Sequence, residues 1–201
     1  SVPGLPQAEP SLKITYVQPK DFTGLLRYVR NILVVTIDPT AYTKVSVGYE
    51  NNVWARGQVV VSLKAHNTES IVEYSKTHEK ALVDFFVKVE MNRAIEQLQK
   101  EYSMVVMDNL KSDLNVMLNA PANFTYYKDT TDFFWSSNNA NTGRMDLIVY
   151  TFPYTDPNTF TEEYLVAKRD SVLKANLPGS FPGSYMQTET RAGVEYTPIT
   201  L

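Results

Sequence analysis

Two short stretches hold the side chains best suited to gripping a ligand: Trp54 with Arg56 in NNVWARG, and Trp135, Asn138, Asn139 and Arg144 in DFFWSSNNANTGR. An indole face stacks on sugars and flat polar rings, while asparagine and arginine fix donors and acceptors around it. The same compositions also build structure. Alternating aromatics belong to a sheet face packed on a helix, and Asn-Asn-Ala-Asn-Thr-Gly is hairpin material in which Asn and Gly take positive φ. At the level of sequence a binding surface and a core-plus-hairpin both fit these six residues, with Tyr126, Tyr127, Phe133 and Phe134 nearby.

Catalytic chemistry finds less to work with. His66 and His78 are the only histidines and there is no cysteine, so a structural zinc site is not expected, and HEKAL lacks the second histidine of a metalloprotease helix. Ser136 and Ser137 sit in no Gly-x-Ser-x-Gly elbow, and no phosphate loop or dinucleotide fingerprint occurs among the eight glycines. Glu162 and Glu163 fall in the first turn of an expected helix, where negative charge has a structural reason. Arg30-Asn31 and Lys168-Arg169 suggest an anion site, but late in a helix such charge serves the dipole and solvent. No catalytic residue, metal ligand or cofactor is expected.

These side chains must be carried by a framework that the pattern outlines. With 43% hydrophobic and 20% charged residues among 201, the chain can bury one substantial core or two small ones. Nineteen basic against 22 acidic residues give a formal charge of −3, too balanced to draw nucleic acid or an anionic membrane, and no apolar run reaches the length of a membrane span. Strands are expected at about 11–18, 31–37, 44–50 and 57–65, with a short helix at 20–30 whose Phe22, Leu25, Leu26 and Val29 share a face. The continuously apolar 31–37 reads as a strand covered on both faces. Asn67-Thr68 caps a helical stretch over 69–113, one long helix or two, in which Ala81–Val89 is apolar on more than one stripe and suits either a helix buried on two sides or a partner-binding face.

Short strands then resume, the best being Met145–Phe152, before a capped helix around Tyr164–Lys174 and two closing strand-like segments. Three prolines in SVPGLPQAEP impose an extended entry, and Val194–Leu201 reads as an interrupted strand, so the sequence looks like a piece of a longer chain trimmed at both ends. The fold class expected is α+β, one compact region over 1–201 with antiparallel or mixed sheets and helices on one face. Trp54, a strand and the Asn67-Thr68 cap are echoed by Trp135, a strand and Asn158-Thr159, which makes 11–113 and 114–201 candidate halves of a repeat, two ferredoxin-like units in tandem.

VPGLPQAEPS, RNILVVTI, NNVWARGQVVV, FFVKVEMNR, DFFWSSNNANTGR, TFTEEYLVAKRDSVLKANLPG and GSYMQTE together resemble a family of uncharacterised predicted lipoproteins of Bacteroidetes, over nearly the whole chain. The resemblance implies an envelope address, a lipid anchor on the full-length protein and flanking segments, and it lends no reaction. Asp129-Thr-Thr and Asp170-Ser-Val also look like the O-glycosylation pattern of exported proteins of that group. The expected role is a non-catalytic binding or assembly module of the envelope, with a glycan, peptide or protein partner and no nucleic acid. The competing expectation is an envelope hydrolase whose site lies partly in the missing segments.

Overall fold

The computed structural model describes residues 9–191 together with Gly193, Val194, Tyr196, Thr197 and Ile199. The proline-rich entry over Ser1–Ala8 and part of the closing segment 194–201 therefore lie outside the described residues. The chain divides into two compact units, Pro10–Ala94 and Ile95–Leu201, and the dividing point falls inside a helix.

The first unit carries β1 (Asn31–Ile37), β2 (Ser46–Asn51) and β3 (Val59–Ala65) in the order β1-β3-β2, followed by α1 (Thr68–Thr77) and the start of α2 (Glu79–Lys100). β3 runs parallel to β1 and antiparallel to β2. Being the central strand, it has five of its seven residues buried, with only Ser62 and Lys64 partly open. Val59 and Val61 pack against Phe86, with Leu12, Phe85 and Val89 around them. A polar clamp fixes α2 to β1: the Asn31 amide donates to Glu90 at 2.6 Å, and Arg93 donates to both Glu90 and Asn31. α1 begins where expected, with the Asn67 side chain accepting from the Ser70 N–H.

Four local expectations are corrected here. Residues 11–18 join no sheet; Leu12 packs against the core, while Ile14 and Tyr16 are open to solvent, so an alternating pattern without a strand beside it formed no ladder. The 20–30 helix is replaced by two 3-10 turns, Pro19–Asp21 and Gly24–Tyr28, with Phe22 and Thr23 between them and Gly24 opening the second at a φ of +54°, outside the right-handed helical region. β1 is not covered on both faces: Leu33, Val35 and Ile37 remain about half exposed. The stretch over 69–113 is three helices, broken where His78 caps the end of α1 and where Ser103 caps the start of α3 (Met104–Leu114).

The second unit sets α3 against the meander β4 (Tyr126–Thr130), β5 (Phe133–Ser137) and β6 (Asp146–Tyr150), then adds a 3-10 turn at Pro157–Phe160 and α4 (Glu162–Asn176). Alternation divides β5 cleanly. Phe134 faces Val106, Leu110, Ala120 and Phe124 of the core beneath α3. Phe133, one residue earlier, points to the opposite face, where Lys128 lies over its ring and donates to the Asn176 carbonyl at the end of α4. Helices thus cover both faces of this sheet rather than one. The only pairing among the described residues after α4 is an isolated bridge between Pro178 and Tyr185, where the first of the two closing strands was expected; the second, over 194–201, falls partly outside the described residues.

The class is α+β, with one mixed and one antiparallel sheet. Each sheet has three strands, and neither unit shows the βαββαβ order of a ferredoxin-like fold. The strand-turn-strand-helix order does occur in both units, but the strand leading to the helix is central in the first (β3) and at the edge in the second (β6).

Candidate functional site

The β5–β6 hairpin holds Trp135, Asn138, Asn139 and Arg144. Trp135 lies on the central strand β5, and its indole N–H donates to Asp146 on β6 at 2.9 Å. Arg144 bonds the same carboxylate and sets its guanidinium 5.9 Å from the centre of the indole ring. The asparagines are taken up by the turn. The Asn138 side chain accepts from the Ala140 and Met145 N–H groups, and Asn139 sits at φ +47° with its N–H on the Ser137 hydroxyl. Burial works to raise the Asp146 carboxyl, but the bonds from Arg144 and Trp135 outweigh it and hold it below the ordinary carboxylate range.

A depressed folded-state pKa stabilises the hairpin above the unfolded value of about 3.9, and that contribution is lost as pH falls through the lower folded value. Trp135→Phe, which leaves an aromatic ring of smaller size and removes the N–H, is expected to cost about 1–2 kcal/mol at pH 7. The deficit should shrink on acidification once Asp146 is protonated. Thermal melts of both proteins at neutral and acid pH check this, and an equal deficit at both would place the effect in packing instead.

Trp54 and Arg56 occupy the β2–β3 turn, whose shape is set by Asn52 and Gly57 at φ +59° and +76°. The Gly57 N–H donates to the Asn52 side chain at 2.6 Å. Beneath the turn Gln58, 1% exposed, accepts from the Trp54 N–H and donates to the carbonyls of Arg27 and Val29. The Trp54 ring meets Phe22 edge to face at 5.4 Å yet remains 37% exposed, and Arg56 is exposed beside it. A rigid turn therefore presents an aromatic face and a cation to solvent. Gln58 was not legible as a keystone, because a glutamine just before an apolar run carries no pattern of its own.

The remaining candidates have structural partners. Ser136 and Ser137 are fully buried and donate to the Tyr126 and Met145 carbonyls. His78 stacks on Tyr74 at the end of α1, while the buried Nδ1 of His66 has no hydrogen-bond partner among the described residues. Lys168 lies over the Phe152 ring, and Arg169 bonds Thr188, which in turn donates to Asp170. Arg30 is largely exposed and approaches Glu90 at 4.0 Å, and Asn31 belongs to the α2 clamp. Glu162 and Glu163 open α4 behind the Thr161 cap, Ser171 lies within α4, and the Asp129-Thr-Thr stretch ends β4. Within Ala81–Val89 only Phe86 is buried, at 9% exposure.

One pair escaped the sequence reading. Asp113 on α3 and Asp129 on β4 come together beside Asn109, Thr130 and Phe134, in a crevice too tight to admit a water molecule. Burial raises the Asp129 carboxyl above its ordinary range, and the hydrogen bond its protonated form donates to Asp113, with the charge repulsion between the two, raises it further. Sixteen residues and a change of element separate the two, which no spacing rule connects. Among the described residues no group of three or more His, Cys, Asp or Glu is placed to hold a metal, and no helix is long and apolar enough to cross a membrane.

Comparison with known families divides the chain in two. Residues 1–99 match a model described as a domain of unknown function (DUF8532), and residues 103–201 match a second described as a domain of unknown function (DUF4837). The models meet where α2 ends at Lys100 and Ser103 caps α3. No curated protein and no solved structure matches the chain.

Proposed function

We propose that this chain is a non-catalytic binding or assembly module of a bacterial cell envelope, part of a lipid-anchored protein, and that it engages a glycan, peptide or protein partner. The observation that carries the binding role is the braced β2–β3 turn, which holds Trp54 and Arg56 outward on a frame fixed by Gln58 and Asn52. Tryptophan and arginine dominate binding hot spots, and a turn already locked in shape loses little freedom on association. The envelope address and the anchor rest on the motif resemblance from Arg30-Asn-Ile-Leu to Gly183-Ser-Tyr-Met.

A Trp135→Phe protein leaves Trp54 as the one indole, so its emission reports the turn directly. Titration with peptidoglycan fragments and oligosaccharides should give a saturable change that Arg56→Ala weakens about tenfold, the loss of one well-placed contact of roughly 1.4 kcal/mol. A flat titration with every one of these probes would sink the small-ligand form of the reading. The hydrolase alternative is favoured by one observation, the Asp113–Asp129 pair. Turnover of any of those probes that Asp129→Asn abolishes would replace the binding module with an enzyme.

A further inference from the structure

Among the described residues β1 has a neighbour on one side only. The Val59 N–H donates to the Arg30 carbonyl and the Asp38 N–H to the Ala65 carbonyl, bracketing the parallel β1–β3 ladder. Backbone groups alternate along a strand, so even-numbered residues aim at β3, and Asn31, Leu33, Val35 and Ile37 aim their N–H and C=O groups away from it. The side chains of those same residues lie on the face of Val61 and Leu63, and Leu33, Val35 and Ile37 are 45%, 47% and 46% exposed. Other edges carry the usual deterrents to pairing. β2 has Gly48 and Glu50, β4 has Lys128 and Asp129, and β6 runs toward Pro153. β1, seven residues long, has no charge, proline or glycine.

We propose that β1 pairs with β1 of a second copy of this chain, antiparallel about a twofold axis through Val34, joining two three-stranded sheets into one of six. The occupant is set by the ends of the strand. In this register Leu33 and Val35 exchange backbone bonds with Val35 and Leu33 of the other copy, using only outward-pointing groups. Arg30 then stands opposite Asp38 at both ends. Arg30 is 71% exposed and meets Glu90 only at the 4.0 Å limit of an ion pair, and Asp38 is held anionic, below the ordinary range, by bonds from the Thr40 hydroxyl and the Thr40 and Ala41 N–H groups. A self-complementary strand with opposite charges at its two ends meets the symmetry requirement of an isologous interface. This edge is separate from the Trp54 turn, and neither reading depends on the other.

The absence of cysteine makes the register testable. The two Val34 residues form a non-hydrogen-bonded pair with Cα atoms about 4.5 Å apart, a spacing that accepts a disulfide. With oxidised glutathione, Val34→Cys should give a covalent dimer, whereas Thr36→Cys, which faces Ile32 of the other copy, should not. Sedimentation velocity should show a dimer for the unmodified chain and a monomer for Val35→Lys, with circular dichroism unchanged. A chain that stays monomeric across the micromolar range would overturn the proposal. So would a dimer that cross-links through Thr36→Cys but not through Val34→Cys.

Discussion

Phe134→Ala should destabilise the second unit by about 3–5 kcal/mol. The ring is 2% exposed and lies among Val106, Leu110, Ala120 and Phe124, so its loss removes transfer energy and leaves a cavity. Collapse around that cavity is hindered on three sides. Ser103 donates to the Phe124 carbonyl, the Ser103 N–H donates to Ala120, and Phe134 itself lies on the central strand, where β4 and β6 hold the backbone in register. Urea unfolding followed by Trp135 emission in a Trp54→Phe background reads this unit specifically. A loss under about 1 kcal/mol would mean that the core repacks freely, contrary to the bracing just described.

Gln58→Glu should cost at least about 3 kcal/mol at neutral pH. The amide donates to two carbonyls, those of Arg27 and Val29, and a carboxylate offers neither bond. Both carbonyls would lose their partner beside a buried negative charge, at about 1–3 kcal/mol for each unsatisfied group. Burial and the facing carbonyl dipoles raise the pKa of the introduced carboxyl above its unfolded value. An acid with a raised folded pKa destabilises progressively above its unfolded pKa and fully above the folded one, and the loss recovers as pH falls, because the protonated form donates one bond again. Melting temperatures at pH 7 and pH 5 should therefore converge toward the parent at the lower pH. An unchanged deficit would show that shape, not charge, governs this position.

The elements were legible where one physical signal dominated. β1 begins and ends at the residues expected because an apolar run is bounded by Arg30 and by Asp38-Pro39, and α1 starts at Thr68 because Asn67 offers a cap oxygen. The 11–18 stretch misled because alternation specifies a strand only when a neighbour is present to pair with it. In the 20–30 stretch the glycine at 24 outweighed the helical spacing of Phe22, Leu25, Leu26 and Val29. The hairpin was legible as a hairpin, with Asn139 and Gly143 at positive φ, but Asp146, which gathers both Trp135 and Arg144, was not. Its role comes from cross-strand register: Asp146 pairs with Ser137 at the mouth of the turn, and a linear sequence does not display that neighbour.

The two sheets also differ in when they can exist. In β4-β5-β6 the closest partners, Thr130 with Phe133 and Ser137 with Asp146, lie 3 and 9 positions apart, so each strand finds its neighbour almost as soon as it is synthesised. β1 has to wait, because Asn31 pairs with Val59, 28 positions later, and β2 must emerge in between. At translation rates of roughly 5–20 residues per second that interval is about one to six seconds. For that time the nascent chain displays NILVVTI with both backbone edges unpaired, and the nearest proline, Pro39, lies beyond its end. The segment is thus the point in biosynthesis where a holdase chaperone has most to do, and slowing translation between residues 38 and 58 should lower the yield of folded protein more than slowing it anywhere after residue 100.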